Sequence, residues 1–304
     1  MTKLVDLPTR EYILPGNRAC AGCALGIGLR SILKALEGKA VMTVPASCLT
    51  VLGGMYPTTS VQVPWLNVAF PGCAAAAAGL AAGLRATGRA GELTVLAMAG
   101  DGGTADIGIQ GLSGAAERND DFIYVCYDNE AYMNTGTQRS GLTPATARTT
   151  TTTHGKRENP KDMPRIMEAH GIPYVASTSA VYPDDVYDKL VKARGTKGLR
   201  YVHMNTPCPS GWGFDPKDSV RLGQLAVDSG LVVLYEVEGG AFRLTGRSKA
   251  LAKRGSRKPV AEYLAGQARF KGIGADDVAG IQAWVDRRWA EFVAREAASA
   301  AAAA

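Results

Sequence analysis

Asp101 sits among glycines in Gly100-Asp101-Gly102-Gly103, just after the apolar stretch Leu93–Met98. Glycines there let the backbone turn sharply and approach a phosphate closely. The helix that follows offers free N–H groups and its positive dipole end to that phosphate. The carboxylate supplies a hard anionic oxygen for Mg2+. A second apolar stretch, Phe122–Tyr127, runs into Asp128-Asn129-Glu130-Ala131. If the two stretches are neighbouring strands, Asn129 emerges on the same edge as Asp101 with a neutral carbonyl oxygen. The main-chain carbonyl of Ala131 then completes the protein's share of an octahedron, and two diphosphate oxygens and a water fill the rest. Gly-Asp-Gly-Gly alone is a turn; the strand before it, the helix after it and the downstream amide make it a diphosphate–magnesium site.

A second set of candidate ligands is sulfur. Of six cysteines, Cys20 and Cys23 form a Cys-x-x-Cys turn that opens a helix. Cys48 follows one predicted strand, and Cys208 follows another in Thr206-Pro207-Cys208-Pro209. All four occupy loops at element ends, where thiolates can converge. Four thiolates suit either Zn2+ or a [4Fe–4S] cluster, and the residues alone leave both open. Cys126 lies inside an apolar strand and reads as a small buried hydrophobe. Cys73 begins a helix. His154, His170 and His203 have no metal-ligand spacing and read as structural.

The elements that must position these groups follow from periodicity. A helix after Cys23 carries Leu25, Leu29, Ile32, Leu33 and Leu36 on one face and closes at Gly38. Ala40–Val44 reads as a buried strand, and Ala74–Leu84 as a small-residue helix whose Gly79 and Gly83 would permit close packing. The glycine-rich helix after Asp101 runs through Arg118. Met163–His170 and Asp184–Ala193 are expected helices; Ile172–Ala176 and Leu199–Met204 are expected strands. Strands apolar on both faces, alternating with helices, indicate an α/β fold: a mostly parallel sheet with helices on both faces. From about Gly213 the pattern changes. Leu231–Glu236 and Ala241–Leu244 flank Glu238-Gly239-Gly240 as a β-hairpin. Val260–Gln267 and Asp276–Ala298 are expected helices. Val278, Ile281, Trp284, Val285, Trp289, Phe292 and Val293 form an apolar stripe on the last, to dock on this chain's core or on another subunit. The division expected is residues 1–212 as the site-bearing domain and 213–304 as a C-terminal hairpin and helical arm for subunit contact.

The bulk properties exclude several classes. The chain has 304 residues, is 46% apolar and carries a formal charge of +6. No apolar run is long enough to span a membrane, and the N-terminus lacks the form of a signal peptide, so a cytoplasmic protein is expected. No nucleic-acid motif is evident. The basic segment Lys249–Lys258 is a solvated face or a dock for a small acidic electron carrier.

Two segments make the reading narrower. Gly100-Asp101-Gly102-Gly103-Thr104-Ala105-Asp106-Ile107-Gly108, and the run from Tyr127 through Asn129, Ala131, Tyr132 and Asn134 to Gly141, resemble the β subunits of 2-oxoacid:ferredoxin oxidoreductases. Within that family they are most similar to the pyruvate, branched-chain and aryl 2-oxoacid branch, which includes enzymes for substrates such as phenylglyoxylate. The resemblance extends from about Gly16 through Cys208 and more weakly beyond. It implies the pyrophosphate-binding domain of a thiamine diphosphate enzyme. Asp101, Asn129 and the Ala131 carbonyl would bind Mg2+, and Gly100, Gly102, Gly103, Asn129, Tyr132 and Asn134 would hold the cofactor. Asn134 would sit near the reacting atoms as the catalytic residue, where an amide can hydrogen-bond a carboxylate or developing oxyanion, or it would shape the Asn-Thr-Gly turn. The resemblance also implies one [4Fe–4S] cluster on Cys20, Cys23, Cys48 and Cys208, with Cys48 close to the thiamine.

The activity implied is CoA-acylating oxidative decarboxylation of a 2-oxoacid. The activating Glu and substrate-reading groups would come from a separate α subunit. Electrons would leave through γ and ferredoxin-like δ subunits to ferredoxin or NAD. Two departures stand out: Ala24 and Leu25 follow the second cysteine, and Phe70-Pro71-Gly72-Cys73 replaces a more polar stretch, marking a less polar pocket or helix packing. The competing readings are another thiamine-dependent decarboxylase or carboligase subunit, and a zinc-stabilised nucleotide-binding module.

Overall fold

The computed structural model describes residues 2–302. Among them, eight strands form a single sheet in the order β2-β1-β3-β4-β6-β5-β7-β8. They are β1 (Ala40–Pro45), β2 (Trp65–Val68), β3 (Thr94–Gly100), β4 (Phe122–Asp128), β5 (Tyr174–Ser179), β6 (Leu199–Asn205), β7 (Tyr235–Glu238) and β8 (Ala241–Leu244). The first six strands run parallel, and β7 and β8 extend the sheet antiparallel from β5. The mostly parallel α/β fold is therefore present.

Strand β4 shows why its sequence is continuously apolar. Ile123, Val125 and Tyr127 face one core; Phe122, Tyr124 and Cys126 face the other. With side chains alternating across the sheet, a strand covered on both sides has no solvent face to mark with polar residues. Helices α1 (Ala24–Ala35), α2 (Cys48–Gly53) and α6 (Pro183–Gly195) pack on the first face. The second face carries α3 (Cys73–Ala86), α4 (Ile109–Glu117), α5 (Met163–Glu168) and the long α11 (Ala275–Ala302). A third core joins α7 (Pro209–Trp212), α8 (Ser219–Asp228), α10 (Val260–Ala265) and α11; α9 is Gly246–Arg254.

The predicted elements recur with shifted bounds and some corrections. Gly79 and Gly83 are exposed, and a side chain at either would meet nothing, so they permit no close packing. The segment before Tyr235 is not strand; the hairpin is shorter and turns at Gly239 and Gly240, both with positive φ. The helix after Asp101 begins as a π-helical turn, Gly102–Asp106, and becomes regular only at Ile109. The α11 stripe packs largely on this chain. Val285 and Phe292 are buried, Trp284 and Trp289 rest against two of the cores, and Val293 is exposed. Among the described residues, no helix is long and apolar enough to cross a membrane.

Candidate active site

Strands β1, β3, β4 and β6 lie side by side and end on one edge of the sheet. Their C-terminal ends deliver, in order, Cys48, Asp101, Asn129 and Cys208. Gly100 pairs with Tyr127 across β3 and β4, and Asp128 with Asn205 across β4 and β6, so the loops leave nearly level. Ligands of open α/β sheets bind outside such strand ends.

Asp101 is 1% exposed and its Oδ2 has no hydrogen-bond partner. Burial, with Asp128 nearby as the second cause, holds its carboxyl well above the usual carboxylate range. A carboxylate so placed is costly to ionise unless a cation faces it. In one orientation of its amide, Asn129 Oδ1 lies 2.9 Å from Asp101 Oδ1 and 3.0 Å from the Ala131 carbonyl oxygen. In the other orientation the nitrogen stands there and donates to both. Oxygens bound to one octahedral Mg2+ at about 2.1 Å stand roughly 3 Å apart. Each of the two Asn129 contacts therefore has the spacing of an octahedral edge, and the donor set fits a hard divalent cation.

Beside the trio is a cavity of about 130 Å³ lined by Ser47, Cys48, Phe70, the Gly100–Gly103 turn, Asn129 and Ala131 to Thr135. A side chain on Gly102 would run into the Tyr132 ring, so glycine is required for Tyr132 to lie across the turn. Tyr132 is pinned by a hydrogen bond from its hydroxyl to Asp106 Oδ2 at 3.1 Å. Phe70 meets Tyr132 edge-on at 5.9 Å and borders Gly103, giving the cavity an aromatic wall. Phe70 thus lines the pocket, whereas Cys73 at the end of the same stretch packs in the core. Asn134 lines the same cavity but is exposed at its mouth.

The four candidate sulfur residues share one neighbourhood. Burial pushes the Cys48 thiol up to about 12, and Cys208, Cys23 and Cys20 each add to that. Burial likewise lifts Cys208 to about 11 and raises Cys23. The amide of Ala24 donates to the carbonyl of Pro207 at 3.4 Å, tying the Cys-x-x-Cys turn to the Cys208 loop. Among the described residues, no three His, Cys, Asp or Glu side chains are close enough to grip one ion. Cys126 and Cys73 are buried apart from this set. Cys73 belongs to the core on α3's face, and its thiol donates to the Thr43 carbonyl at 3.4 Å.

Several supporting residues carry no motif. The Trp212 indole N–H donates to the Asn129 carbonyl at 2.8 Å. Arg269 pairs with Glu130 at 2.5 Å. His203 hydrogen-bonds Asp128 at 3.0 Å and Tyr201 at 2.9 Å, so its role is structural support of the loop. Contacts to main-chain carbonyls, or between distant segments, leave no spacing to read.

A family profile described as the thiamine pyrophosphate enzyme C-terminal TPP-binding domain matches residues 46–204. Pyruvate synthase subunit PorB of Methanothermobacter marburgensis is 50% identical over 287 residues, covering 93% of this chain and 97% of that protein. Ketoisovalerate oxidoreductase subunit VorB of Pyrococcus horikoshii is 40% identical over 296 residues, with 94% of each covered. A 2-oxoglutarate:ferredoxin oxidoreductase from Magnetococcus marinus, solved with 2-oxoglutarate, coenzyme A and succinyl-CoA bound, superposes with a TM-score of 0.58. At 20% identity over 90% of this chain and 97% of that one, it supports the fold alone. With the thiamine-pyrophosphate-binding domain profile matched over residues 46–204 and relatives, covered almost end to end, that are oxidoreductase subunits, the chain belongs to the β subunits of the 2-oxoacid:ferredoxin oxidoreductases, as one part of a multi-subunit enzyme.

Proposed function

We propose that this β subunit holds thiamine diphosphate through Mg2+ and one [4Fe–4S] cluster, and serves the CoA-dependent oxidative decarboxylation of pyruvate. The observation that carries this reading is the convergence of Asp101, Asn129 and the Ala131 carbonyl between two strands whose ends deliver thiols. When bound, thiamine diphosphate supplies the carbanion that attacks a 2-oxo carbon, and the cluster accepts electrons singly. Asp101, Asn129 and Ala131 hold the cation that neutralises the diphosphate. The Gly100–Gly103 turn lets the backbone close on the phosphates, while Tyr132 and Phe70 keep water from the adjoining wall. Asn134 offers an amide at the mouth for the substrate carboxylate.

A cluster is preferred to zinc on the cysteine pattern and the family resemblance: the set has one Cys-x-x-Cys pair and two dispersed singles, whereas a structural zinc usually uses two tight pairs. The 50% identity to the Methanothermobacter marburgensis pyruvate synthase subunit supports pyruvate, and the aromatic wall suits a small apolar side chain. The activating Glu falls to an α subunit; further clusters, and transfer to ferredoxin or NAD, fall to γ and δ subunits. Contact with them would fall to the outer surface of residues 213–304, whose β7 and β8 extend this chain's own sheet. The test is a panel of 2-oxoacids offered to the assembled complex with coenzyme A and an electron acceptor. Pyruvate should give the highest kcat/KM and the isolated β subunit no turnover. Acceptor-independent decarboxylation by the complex would instead favour a non-oxidative thiamine enzyme.

A further inference from the structure

Helix α7 is N-capped by Cys208 and ends at Trp212, one turn later. It touches the loop that follows β4 in two places. Trp212 Nε1 donates to the carbonyl of Asn129, and a side chain on Gly211 would occupy the space that Met133 fills. Met133 itself lines the cofactor cavity. A side chain on Gly211 would also come within 3.5 Å of Cys208 Sγ, so one short helix borders both sites.

Trp212 has little freedom. It is fully buried, and the Arg269 guanidinium lies 4.1 Å from its ring centroid. Arg269 is held by Gln267, by the Tyr263 hydroxyl and by Glu130, next to Asn129 in sequence. Tyr263 meets the indole edge-on at 6.2 Å. A displacement of Cys208 along α7 is therefore passed to the Asn129 carbonyl rather than absorbed by a loose side chain.

We propose that α7 couples the sulfur set to the diphosphate loop, with Trp212 as the positioning residue that transmits strain between them. The inference rests on the cofactor reading above. If the coupling holds, occupancy of one site alters the other, as linkage requires.

The test uses the assembled complex and the variant Trp212→Phe, which keeps an aromatic ring under Arg269 and removes the N–H. Leaving the Asn129 carbonyl without its buried donor should weaken thiamine diphosphate binding in Mg2+ by about tenfold. Iron content should stay at the parent level. The change that adding thiamine diphosphate makes to the cluster's EPR spectrum should shrink. Phe214→Leu alters the same aromatic cluster without a hydrogen bond to the loop, and should leave both readouts as in the parent. Unchanged affinity and unchanged spectral response in Trp212→Phe would overturn the coupling, as would equal losses in Phe214→Leu. Hydrogen exchange on the unmutated complex gives a second measurement should the variant fail to assemble. Amides of residues 210–214 should slow when thiamine diphosphate and Mg2+ are added, and no change would overturn the proposal. A parent complex without iron or without thiamine diphosphate binding would sink the cofactor reading itself, and this inference with it.

Discussion

At the residue scale, the site is a meeting of groups whose individual chemistry is ordinary. The placement of Asp101 and Asn129 was legible because each follows a continuous apolar strand, and the two strands are neighbours in the sheet. The sulfur set was half legible: Cys-x-x-Cys stands out, whereas Cys48 and Cys208 gained meaning from the family resemblance. Trp212 and Arg269 were not legible, since a donor to a main-chain carbonyl needs no particular partner residue and Arg269 lies far along the chain from Glu130. The consequence for sulfur can be tested by Cys208→Ala. Iron in anaerobically purified complex should fall by about one cluster's worth, with the fold intact by circular dichroism. Full iron would move the fourth ligand elsewhere.

At the scale of elements, glycines in similar company behave oppositely. Gly102 is required because a side chain would strike Tyr132. Gly102→Ala should therefore displace Tyr132 from Asp106 and weaken thiamine diphosphate binding more than tenfold, with a small loss of thermal stability, measured by calorimetric titration and melting. Gly79 faces open space on α3. Gly79→Ala should stabilise the protein by about 0.5–1 kcal/mol through helix propensity, read from the urea midpoint. Destabilisation there would mean that α3 packs against something after all. Periodicity located α3 and its neighbours but not which glycines faced a partner, since that depends on how helix and sheet meet. The π-helical turn after Asp101 was equally hidden, because glycine permits several backbones and tertiary contacts choose among them.

At the scale of the whole molecule, the C-terminal third is built into the sheet. Strand β7 pairs with β5, and Phe292 of α11 stacks with Tyr235 and Phe242 at centroid distances of 5.1 and 5.8 Å. Phe292→Ala should cost about 3–5 kcal/mol, seen as a lowered denaturation midpoint of the whole chain. A loss confined to the arm, with the parallel strands melting unchanged, would show that the two parts unfold separately. The parallel sheet was legible from its doubly apolar strands; the attachment of the hairpin was not, because an antiparallel pair carries no sequence mark of which edge it joins.

The central claim is that Asp101 and Asn129 share a divalent cation with the cofactor's phosphates. Mn2+ substituted for Mg2+ in the assembled complex reports this by pulsed EPR. The account predicts about one bound Mn2+ per β subunit with phosphorus coupling from thiamine diphosphate, and loss of both in Asp101→Ala while the fold persists. Undiminished Mn2+ binding and phosphorus coupling in that variant would contradict it.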